Sequence, residues 1–261
     1  SLGKVEAVGS KLSQIYKALV LGTKDFTHKN GFNTAIVGLS GGIDSALTLA
    51  IAADALGSNN VEAVMMPSVY TSKESLLDAK KCAKNLGIKL QILPIKPLMD
   101  EFGKSLDEIF KDYPLDTTEE NLQSRIRGVL LMAISNKKGS MLLTTGNKSE
   151  IAMGYCTLYG DMCGGYSVLK DVLKTEVYEL SRYVNKLANV REMSFPVPQS
   201  IIDKSPSAEL KFNQFDHDSL PPYEILDRVL VEYLEKKLSF HEILTLGYPE
   251  SIVRKVIKLI K

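Results

Sequence analysis

The sequence has few of the residues that build disulfide frameworks or zinc sites. Its three cysteines, Cys82, Cys156 and Cys163, are an odd number and include no CxxC pair. This excludes a disulfide framework and argues against a structural zinc site. The three histidines are scattered along the chain and form no metal-binding pattern. Together these absences favour a reducing, cytoplasmic compartment.

An excess of one charge and a long apolar run are also missing. The chain has 32 basic and 31 acidic residues, for a formal net charge of +1. Bulk charge therefore gives no reason to expect nucleic acid or an anionic membrane as a partner. No apolar run approaches the roughly 20 residues of a membrane span. Residues 1–4 carry no signal-peptide region, and we interpret them as a cut or tagged start.

Strand-like and helix-like segments alternate through most of the 261 residues, of which 44% are hydrophobic. The predicted strands are 34–39, 61–66, 89–94 and 140–144. The predicted helices are 44–56, 75–86, 119–135, 175–187, 221–236 and 250–260. The alternation predicts an α/β fold with a doubly wound parallel sheet and helices on both faces. Ligands of such folds bind at the carboxyl ends of the strands. Residues 205–218 are polar and contain proline, so we expect a mobile loop there.

The segment Gly38-Leu39-Ser40-Gly41-Gly42-Ile43-Asp44-Ser45 connects the first predicted strand to the first predicted helix. Backbone N–H groups of such a turn, together with the dipole of the helix, form a cradle for anions. Gly41 and Gly42 let the backbone approach a phosphate without an intervening Cβ. The carboxylate of Asp44 would repel bound phosphates unless a cation such as Mg²⁺ lay between them.

Two alternatives compete with phosphate binding at this turn. Asp44 or Ser40 could simply cap a core helix, but capping does not require two glycines between two serines. The segment is not a Walker loop, because Ile43 rather than lysine follows Gly42. Gly103-Lys104-Ser105 lacks the upstream glycine of that motif, since position 98 is Leu98. We therefore favour phosphate binding at the glycine-rich turn alone.

Several segments together resemble a known family. Ser40–Ser45 resembles the pyrophosphate loop of the N-type ATP pyrophosphatases, which split ATP into AMP and pyrophosphate. That loop identifies only the superfamily, whereas later segments in this order resemble NAD⁺ synthetase: Gly146–Glu150, Gly154–Asp161, Leu169–Val172 with Lys174 and Thr175, and Ser205–Leu210. The resemblance runs to about Tyr223. It implies a Rossmann-like fold of the adenine nucleotide alpha hydrolase type.

Two segments, Tyr155–Tyr159 and Ser219–Tyr223, are more similar to the glutamine-dependent branch of the family. That branch carries an amidase domain ahead of the synthetase. No such domain is visible in the sequence, so we expect residues 1–261 to form a single synthetase domain. It would be either an excised domain or an ammonia-using relative of that branch. The family's basic segment beyond the last helix is also missing, so we expect substrate closure to be incomplete.

The reaction implied by the resemblance is the amidation of deamido-NAD⁺ to NAD⁺. The nicotinate carboxylate attacks the α-phosphate of ATP, and ammonia then displaces AMP from the adenylate. The first step needs charge neutralisation and in-line positioning more than acid–base groups. The implied partners are ATP, deamido-NAD⁺ and ammonia, together with a homodimer that places deamido-NAD⁺ near its interface. An amidase domain in a longer natural protein would supply the ammonia from glutamine.

The resemblance also assigns roles to individual residues. The expected ATP contacts are Gly38, Leu39, Ser40, Gly41, Gly42, Ile43, Asp44, Ser45, Thr145, Lys174 and Ser207. The expected catalytic residues are Asp44, Lys174 and Asp161. Asp44 and Glu150 supply hard oxygen ligands and are expected to hold Mg²⁺. The plain alternatives are a solvated carboxylate for Glu150 and an exposed surface lysine for Lys174.

Contacts to deamido-NAD⁺ are expected from Arg125 and Asp161. Arg125 and Arg127 lie roughly 200° apart around a helix, so they should not serve the same site. The resemblance selects Arg125 and leaves Arg127 as a structural or surface residue. Many ammonia-dependent relatives have a lysine at the position of Leu158 and an aspartate at that of Gly165. The residues that replace these two substrate contacts are not identified by the sequence.

Two other functions stay open at this point. An RNA-thiolating enzyme of the superfamily would use a cysteine persulfide, and Cys156 and Cys163 lie near the predicted site. The residues around them match the synthetase, however, which favours packing roles for both. An ATP-binding sensor without chemistry would need only the phosphate cradle. The joint presence of Glu150, Lys174 and Asp161 argues against such a sensor.

Overall fold

The computed structural model describes residues 9–260, so the interpretation of residues 1–4 as a cut or tagged start lies outside the described residues. A five-stranded parallel sheet forms its centre, in the order β3-β2-β1-β4-β5. The strands are β1 (Ala35–Gly38), β2 (Val61–Met65), β3 (Lys89–Ile92), β4 (Met141–Thr144) and β5 (Tyr166–Ser167). Because β1 pairs with both β2 and β4, the order of the strands reverses at β1. Ligands of open α/β sheets bind at such a point.

Helices cover both faces of the sheet, which confirms the predicted fold class. They are α1 (Lys11–Lys29), α2 (Ile43–Leu56), α3 (Lys73–Asn85), α4 (Lys96–Phe110), α5 (Thr117–Lys138), α6 (Lys148–Ala152), α7 (Lys174–Val190), α8 (Gln199–Asp203), α9 (Tyr223–Leu230), α10 (Phe240–Thr245) and α11 (Glu250–Ile260). Across residues 9–260, no helix combines the length and apolar composition that crossing a bilayer requires.

The two apolar cores follow from the alternation of side chains along the strands. Ala35, Val37 and Leu143 face a core formed with α1, α2, α3 and α7. Ile36 and Leu142 face the opposite core, formed with α4 and α5. Strands β1, β2 and β4 are therefore buried on both sides, which explains why they are apolar runs, whereas the edge strand β3 has no buried residue.

The C-terminal helices α9, α10 and α11 pack around an apolar cluster of their own, which includes Leu226, Ile243 and Val256. Met153 and Leu173 join this cluster from the end of α6 and the loop before α7. The C-terminal helices are thereby attached to the part of the chain that follows β4. The attachment places α9 against the start of α7.

The sequence located most of these elements but not all of their bounds. Helix α3 begins at Lys73 because Ser72 caps it, its Oγ accepting from the N–H of Ser75 at 3.1 Å. The predicted helix 221–236 is α9 followed by a π-helical turn, Val231–Glu235. The sequence pattern predicted no bounds for α1, α4, α6, α8, α10 or β5. Gly103-Lys104-Ser105 lies inside α4 and forms no loop.

Candidate active site

The glycine-rich turn lies at the carboxyl end of β1, and its two serines hold its shape. The Oγ atoms of Ser40 and Ser45 are 3.1 Å apart, and Ser45 Oγ donates to the carbonyl oxygen of Gly42 at 3.0 Å. The N-cap of α2 is Gly42, without a side-chain cap hydrogen bond. The interpretation of Asp44 or Ser40 as the N-cap is therefore wrong, and the Asp44 side chain is free for another role.

Close packing by itself requires glycine at position 41 of the turn. Its φ is +88°, and a Cβ at this position would lie 2.4 Å from the carbonyl oxygen of Ser75 on α3. The turn and the N-terminal part of α3 are thus in backbone contact. Only glycine satisfies both the conformation and the contact.

Gly41→Ala is expected to lower the free energy of unfolding by about 3 kcal/mol or more, because it adds a backbone clash to left-handed strain. Gly31→Ala is the matched control, since Gly31 has a φ of +81° and a Cβ there would meet nothing within 4 Å. We expect that control to lose only about 1–2 kcal/mol. Equal urea midpoints for the two variants would show that the approach of Ser75 is unimportant.

Lys174 is the centre of the site. It is the first residue of α7 and is 3% exposed. Its Nζ donates to Asp44 Oδ2 at 2.5 Å and to Glu150 Oε1 at 2.8 Å. The interpretation of Lys174 as an exposed surface lysine is therefore wrong, as is that of Glu150 as a simple solvated carboxylate. Parallel strands bring α2, α6 and α7 to one edge of the sheet, and these three residues meet there.

Asn147 completes this cluster and was missed by sequence reasoning as a functional residue. Its Nδ2 donates to Asp44 Oδ1 at 2.8 Å, and its Oδ1 caps α6 by accepting from the N–H of Glu150 at 3.0 Å. Asn147 is fully buried. Asn147 follows β4 closely and precedes Glu150, and this position in the sequence could have indicated a place in the site.

The charges of the cluster do not balance within the protein. Burial raises the pKa of Glu150 to about 7; Lys174 opposes this shift and Asp44 adds to it. Burial disfavours the charge on Lys174, but attraction by Asp44 and Glu150 outweighs it and raises the pKa of the ammonium above its ordinary value. Two carboxylates thus share one ammonium. Once both are ionised, the cluster carries one excess negative charge, which a further cation would neutralise.

Asp227 on α9 holds the N-terminus of α7 in place and was also missed by sequence reasoning. Its Oδ1 accepts from Ser149 Oγ at 2.5 Å, and its Oδ2 accepts from the N–H of Thr175 at 2.8 Å. Ser149 Oγ in turn accepts from the N–H of Lys174 at 2.9 Å. The C-terminal helices therefore fix the backbone that carries Lys174. Only the tertiary structure brings Asp227 to this helix end.

Asp227→Ala is expected to cost about 2–4 kcal/mol of stability, because it leaves buried donors unsatisfied and removes a helix cap. Asp227→Asn should lose less, since its side-chain oxygen still accepts from Thr175. Glu224→Ala is the control on the same helix; Glu224 is exposed, and we expect a change within about 1 kcal/mol. Chemical denaturation measures all three. A loss for Asp227→Ala no larger than for Glu224→Ala would contradict the role given to Asp227.

A cavity of about 220 Å³ opens beside this cluster. Ten of the predicted site residues line it: Ser40, Gly42, Ile43, Asp44, Ser45, Thr145, Glu150, Asp161, Lys174 and Ser207. A second cavity, of about 310 Å³, shares Glu150 and Asp161 with the first and extends toward Cys156 and Lys170. The structure therefore brings together most of the residues that the resemblance selected.

Four predicted residues do not line the 220 Å³ cavity: Gly38, Leu39, Gly41 and Arg125. Arg125 is exposed, and its Nε donates to the carbonyl oxygen of Leu158 at 3.2 Å. Arg127, which the resemblance left as a structural or surface residue, lines the cavity instead. Helix α5 turns Arg127 toward the sheet, where its Nε donates to the carbonyl oxygen of Met66 at 3.0 Å, and turns Arg125 toward solvent; the assignment of Arg127 as a structural or surface residue stays a prediction.

The polar segment 205–218 forms one wall of the cavity and is tied to α3. Glu209 accepts hydrogen bonds from Ser72 Oγ at 2.9 Å, from Ser75 Oγ at 2.8 Å and from Lys204 Nζ at 2.7 Å. Ser207 Oγ donates to the carbonyl oxygen of Gln214 and so helps to shape the segment itself. Apart from a short 3₁₀ turn at Asp216–Asp218, the segment is irregular.

Known proteins are similar to this chain in sequence and in fold. The NAD synthase family model matches residues 15–261. The chain belongs to the NAD synthase family. It is 51% identical over 249 residues to a glutamine-dependent NAD(+) synthetase of Acinetobacter baylyi, covering 95% of this chain and 45% of that protein. The chain thus spans about half the length of such curated relatives.

Two solved structures resemble this chain in fold and sequence. A glutamine-dependent NAD⁺ synthetase from Acinetobacter baumannii, in complex with ADP, has a TM-score of 0.75 and 44% identity, with 100% of this chain and 46% of that chain covered. An NH3-dependent NAD synthetase from Campylobacter jejuni, in complex with nitrate, has a TM-score of 0.73 and 25% identity. The latter match covers 97% of this chain and 94% of that one.

The cysteines give no support to a persulfide mechanism. Burial raises the pKa of Cys156 and Cys163 above the ordinary value, and the charge of Asp161 raises both further. Burial raises the pKa of Cys82 to about 12. A nucleophilic cysteine needs a lowered pKa and a positive neighbour. These thiols have the opposite surroundings.

Proposed function

We propose that this chain catalyses the ATP-dependent amidation of deamido-NAD⁺ to NAD⁺. The reaction proceeds through an adenylated intermediate, releases AMP and pyrophosphate, and uses ammonia as the nitrogen donor. The observation that carries the proposal is the buried cluster of Asp44, Lys174 and Glu150 beside the glycine-rich turn. The glutamine-dependent and NH3-dependent NAD synthetases among the relatives support the same reaction.

In this proposal the glycine-rich turn and Lys174 bind the phosphates of ATP, with further contacts from Thr145 and Ser207. Arg125 and Asp161 contact deamido-NAD⁺. An ammonium and backbone N–H groups beside the outer phosphates stabilise the charge that develops on the leaving pyrophosphate in the transition state. Catalysis then depends on positioning and charge rather than on an acid–base pair.

Mg²⁺ is part of the proposal, and its expected ligands are Asp44 and Glu150. The fit rests on the donor set: two carboxylates converge on one ammonium, and the cluster has an excess negative charge. Mg²⁺ is commonly held by one or two carboxylates together with substrate phosphates and water. Bound there, it would neutralise phosphate charge next to the glycine-rich turn.

The test is a steady-state assay with ATP, deamido-NAD⁺ and ammonium, in which NAD⁺ and AMP are both measured. Equal amounts of NAD⁺ and AMP are expected. AMP and pyrophosphate without NAD⁺ would indicate another ATP pyrophosphatase, such as an RNA-thiolating enzyme. Nucleotide binding without any turnover would indicate a sensor. Either result would reject the proposed function.

The same assay with glutamine in place of ammonium tests the nitrogen donor. We expect no NAD⁺ from glutamine with this chain alone, because glutamine hydrolysis needs an activated nucleophile. None of the three cysteines has surroundings that lower its pKa. Glutaminase activity of the purified chain would contradict this. A longer natural protein with an amidase domain would use glutamine.

A homodimer is the last part of the proposal, and α4 offers a surface for it. This helix has no buried residue, and its apolar side chains Leu98, Phe102 and Ile109 are exposed on one face. We expect light scattering to give a dimer mass, and Phe102→Glu to shift it toward the monomer. Leu21→Glu, at an exposed leucine of α1, is the control. A wild-type mass that stays monomeric at all concentrations would contradict the dimer.

A further inference from the structure

Arg127 differs from the other cations of the cavity. Three basic residues line it: Arg127, Lys174 and Lys204. Lys174 is paired with two carboxylates and Lys204 with Glu209. Within residues 9–260, no carboxylate lies within 4 Å of Arg127. Arg127 is partly buried, and the carboxylates of Glu209 and Asp161 act on it only from beyond ion-pair distance, so its guanidinium remains available to pair with an anionic ligand.

The guanidinium of Arg127 is held by one end only. Its Nε donates to the carbonyl oxygen of Met66, at the end of β2, at 3.0 Å. Among the described residues, its two terminal nitrogens have no hydrogen-bond partner, although a guanidinium has five N–H donors in a fixed fork. Burial lowers the pKa of Arg127 to about 10, so the group keeps its charge at neutral pH. The donors that remain suit a phosphate, which accepts two of them in parallel.

The position of Arg127 indicates which phosphate group of a ligand it would bind. Arg127 lines both the 220 Å³ cavity and a smaller one of about 110 Å³. The smaller cavity lies between the carboxyl ends of β1 and β2, where it is lined by Leu39, Val64 and Met65. Ser40 and Glu209 also belong to both cavities. Arg127 therefore stands where an apolar compartment meets the polar one that contains Lys174.

A nucleotide has the same two-part character. Its flat base suits the apolar compartment, and its outer phosphates suit the glycine-rich turn and Lys174, which leaves its first phosphate at the junction. We propose that Arg127 binds the α-phosphate of the nucleotide. This inference rests on the proposed function, in which ATP occupies the site, and adds a binding residue that the resemblance did not select.

The proposal gives Arg127 a part in the chemistry. In the adenylation step, the bond between the α-phosphorus and a carboxylate oxygen of the substrate forms. The bond from that phosphorus to the pyrophosphate oxygen breaks, and the electron pair leaves with pyrophosphate. A guanidinium on the non-bridging oxygens stabilises their charge while the two bonds exchange. Arg127 would thus act on the reacting group, whereas Lys174 stands beside the outer phosphates.

Titration calorimetry with adenosine and AMP tests the assignment, because these ligands differ only in the α-phosphate. The wild-type chain should bind AMP more tightly than adenosine. In Arg127→Met, we expect this preference to fall about tenfold or more, with the affinity for adenosine unchanged. Arg127→Lys keeps the charge but loses the fork and should retain part of the preference. Lys137→Met, at an exposed basic residue of the same helix outside the cavity, should keep the wild-type ratio.

An AMP-to-adenosine ratio that stays at the wild-type value in Arg127→Met would overturn the proposal. If that variant does not fold, a full wild-type preference for AMP in Arg127→Lys would do the same, and so would equal binding of AMP and adenosine by the wild type. A different result would reject the proposed function. A wild-type chain that prefers AMP through Arg127 but forms no NAD⁺ would reject the reaction and keep the nucleotide contact.

Discussion

Replacing Asp44 by asparagine is expected to lower NAD⁺ formation about 100-fold or more, while the thermal midpoint stays within a few degrees. The substitution removes one of the two carboxylates proposed to hold Mg²⁺. The fold should tolerate it, because Lys174 keeps its ion pair with Glu150 at 2.8 Å. The charge of Asp44 raises the pKa of Glu150, so its removal favours the ionised form of Glu150 beside the ammonium.

The structural cost of Asp44→Asn falls on two contacts: the ion pair with Lys174 is reduced to a hydrogen bond with a neutral amide oxygen, and the bond from Asn147 is lost. Asn147 Nδ2 donates to Asp44 Oδ1 at 2.8 Å, and an amide nitrogen placed there could not accept this bond. The loss of one hydrogen bond amounts to about 1 kcal/mol. Asp54→Asn is the control on α2, since Asp54 is exposed and accepts from Tyr16 OH, as an asparagine can. Raising Mg²⁺ should restore part of the activity, and near-normal activity at low Mg²⁺ would refute a metal role.

Replacing Lys174 by methionine should affect both activity and stability. Methionine fills much of the same space but leaves Asp44 and Glu150 facing each other without the ammonium. Removing one partner of a buried ion cluster typically costs about 3–5 kcal/mol. Activity should be lost because the outer phosphates of ATP lose their only proposed lysine contact. Lys148→Met is the control: Lys148 lies on the neighbouring α6 and pairs outside the cluster, with the exposed carboxylates of Asp171 and Glu235.

The stability of Lys174→Met should depend on pH in a defined direction. Burial already raises the pKa of Glu150 to about 7, and loss of the ammonium raises it further. A carboxyl whose folded pKa exceeds its unfolded value destabilises the fold as pH rises through that range. The variant should therefore approach wild-type stability near pH 5 and lose most at pH 8. At pH 8, added Mg²⁺ should raise its midpoint more than that of the wild type. An equal loss of stability at pH 5 and pH 8 would contradict the description of Asp44 and Glu150 as two carboxylates that share the ammonium of Lys174.

Part of the site can be recognised in the sequence, because it is formed by short consecutive segments. The order of strand, glycine-rich turn and helix is local, so residues 38–45 predicted both an anion cradle and its place after β1. The alternation of segments predicted four of the five strands, and burial on both faces accounts for the apolar runs of three of them, β1, β2 and β4. Strand β5 was missed because two residues, Tyr166 and Ser167, carry no periodic pattern.

The remaining features depend on contacts between residues far apart in the chain. Periodicity could show that Arg125 and Arg127 face different directions, but only the packing of α5 decided which one enters the cavity. Asp227 lies on α9, 53 positions beyond Lys174, and its carboxylate reaches the start of α7 only because the C-terminal helices pack there. The sequence by itself determined the fold class, the family and the identity of the charged residues. The tertiary structure decided which charges are buried and shared, because burial and pairing are properties of the folded chain and not of any segment of it.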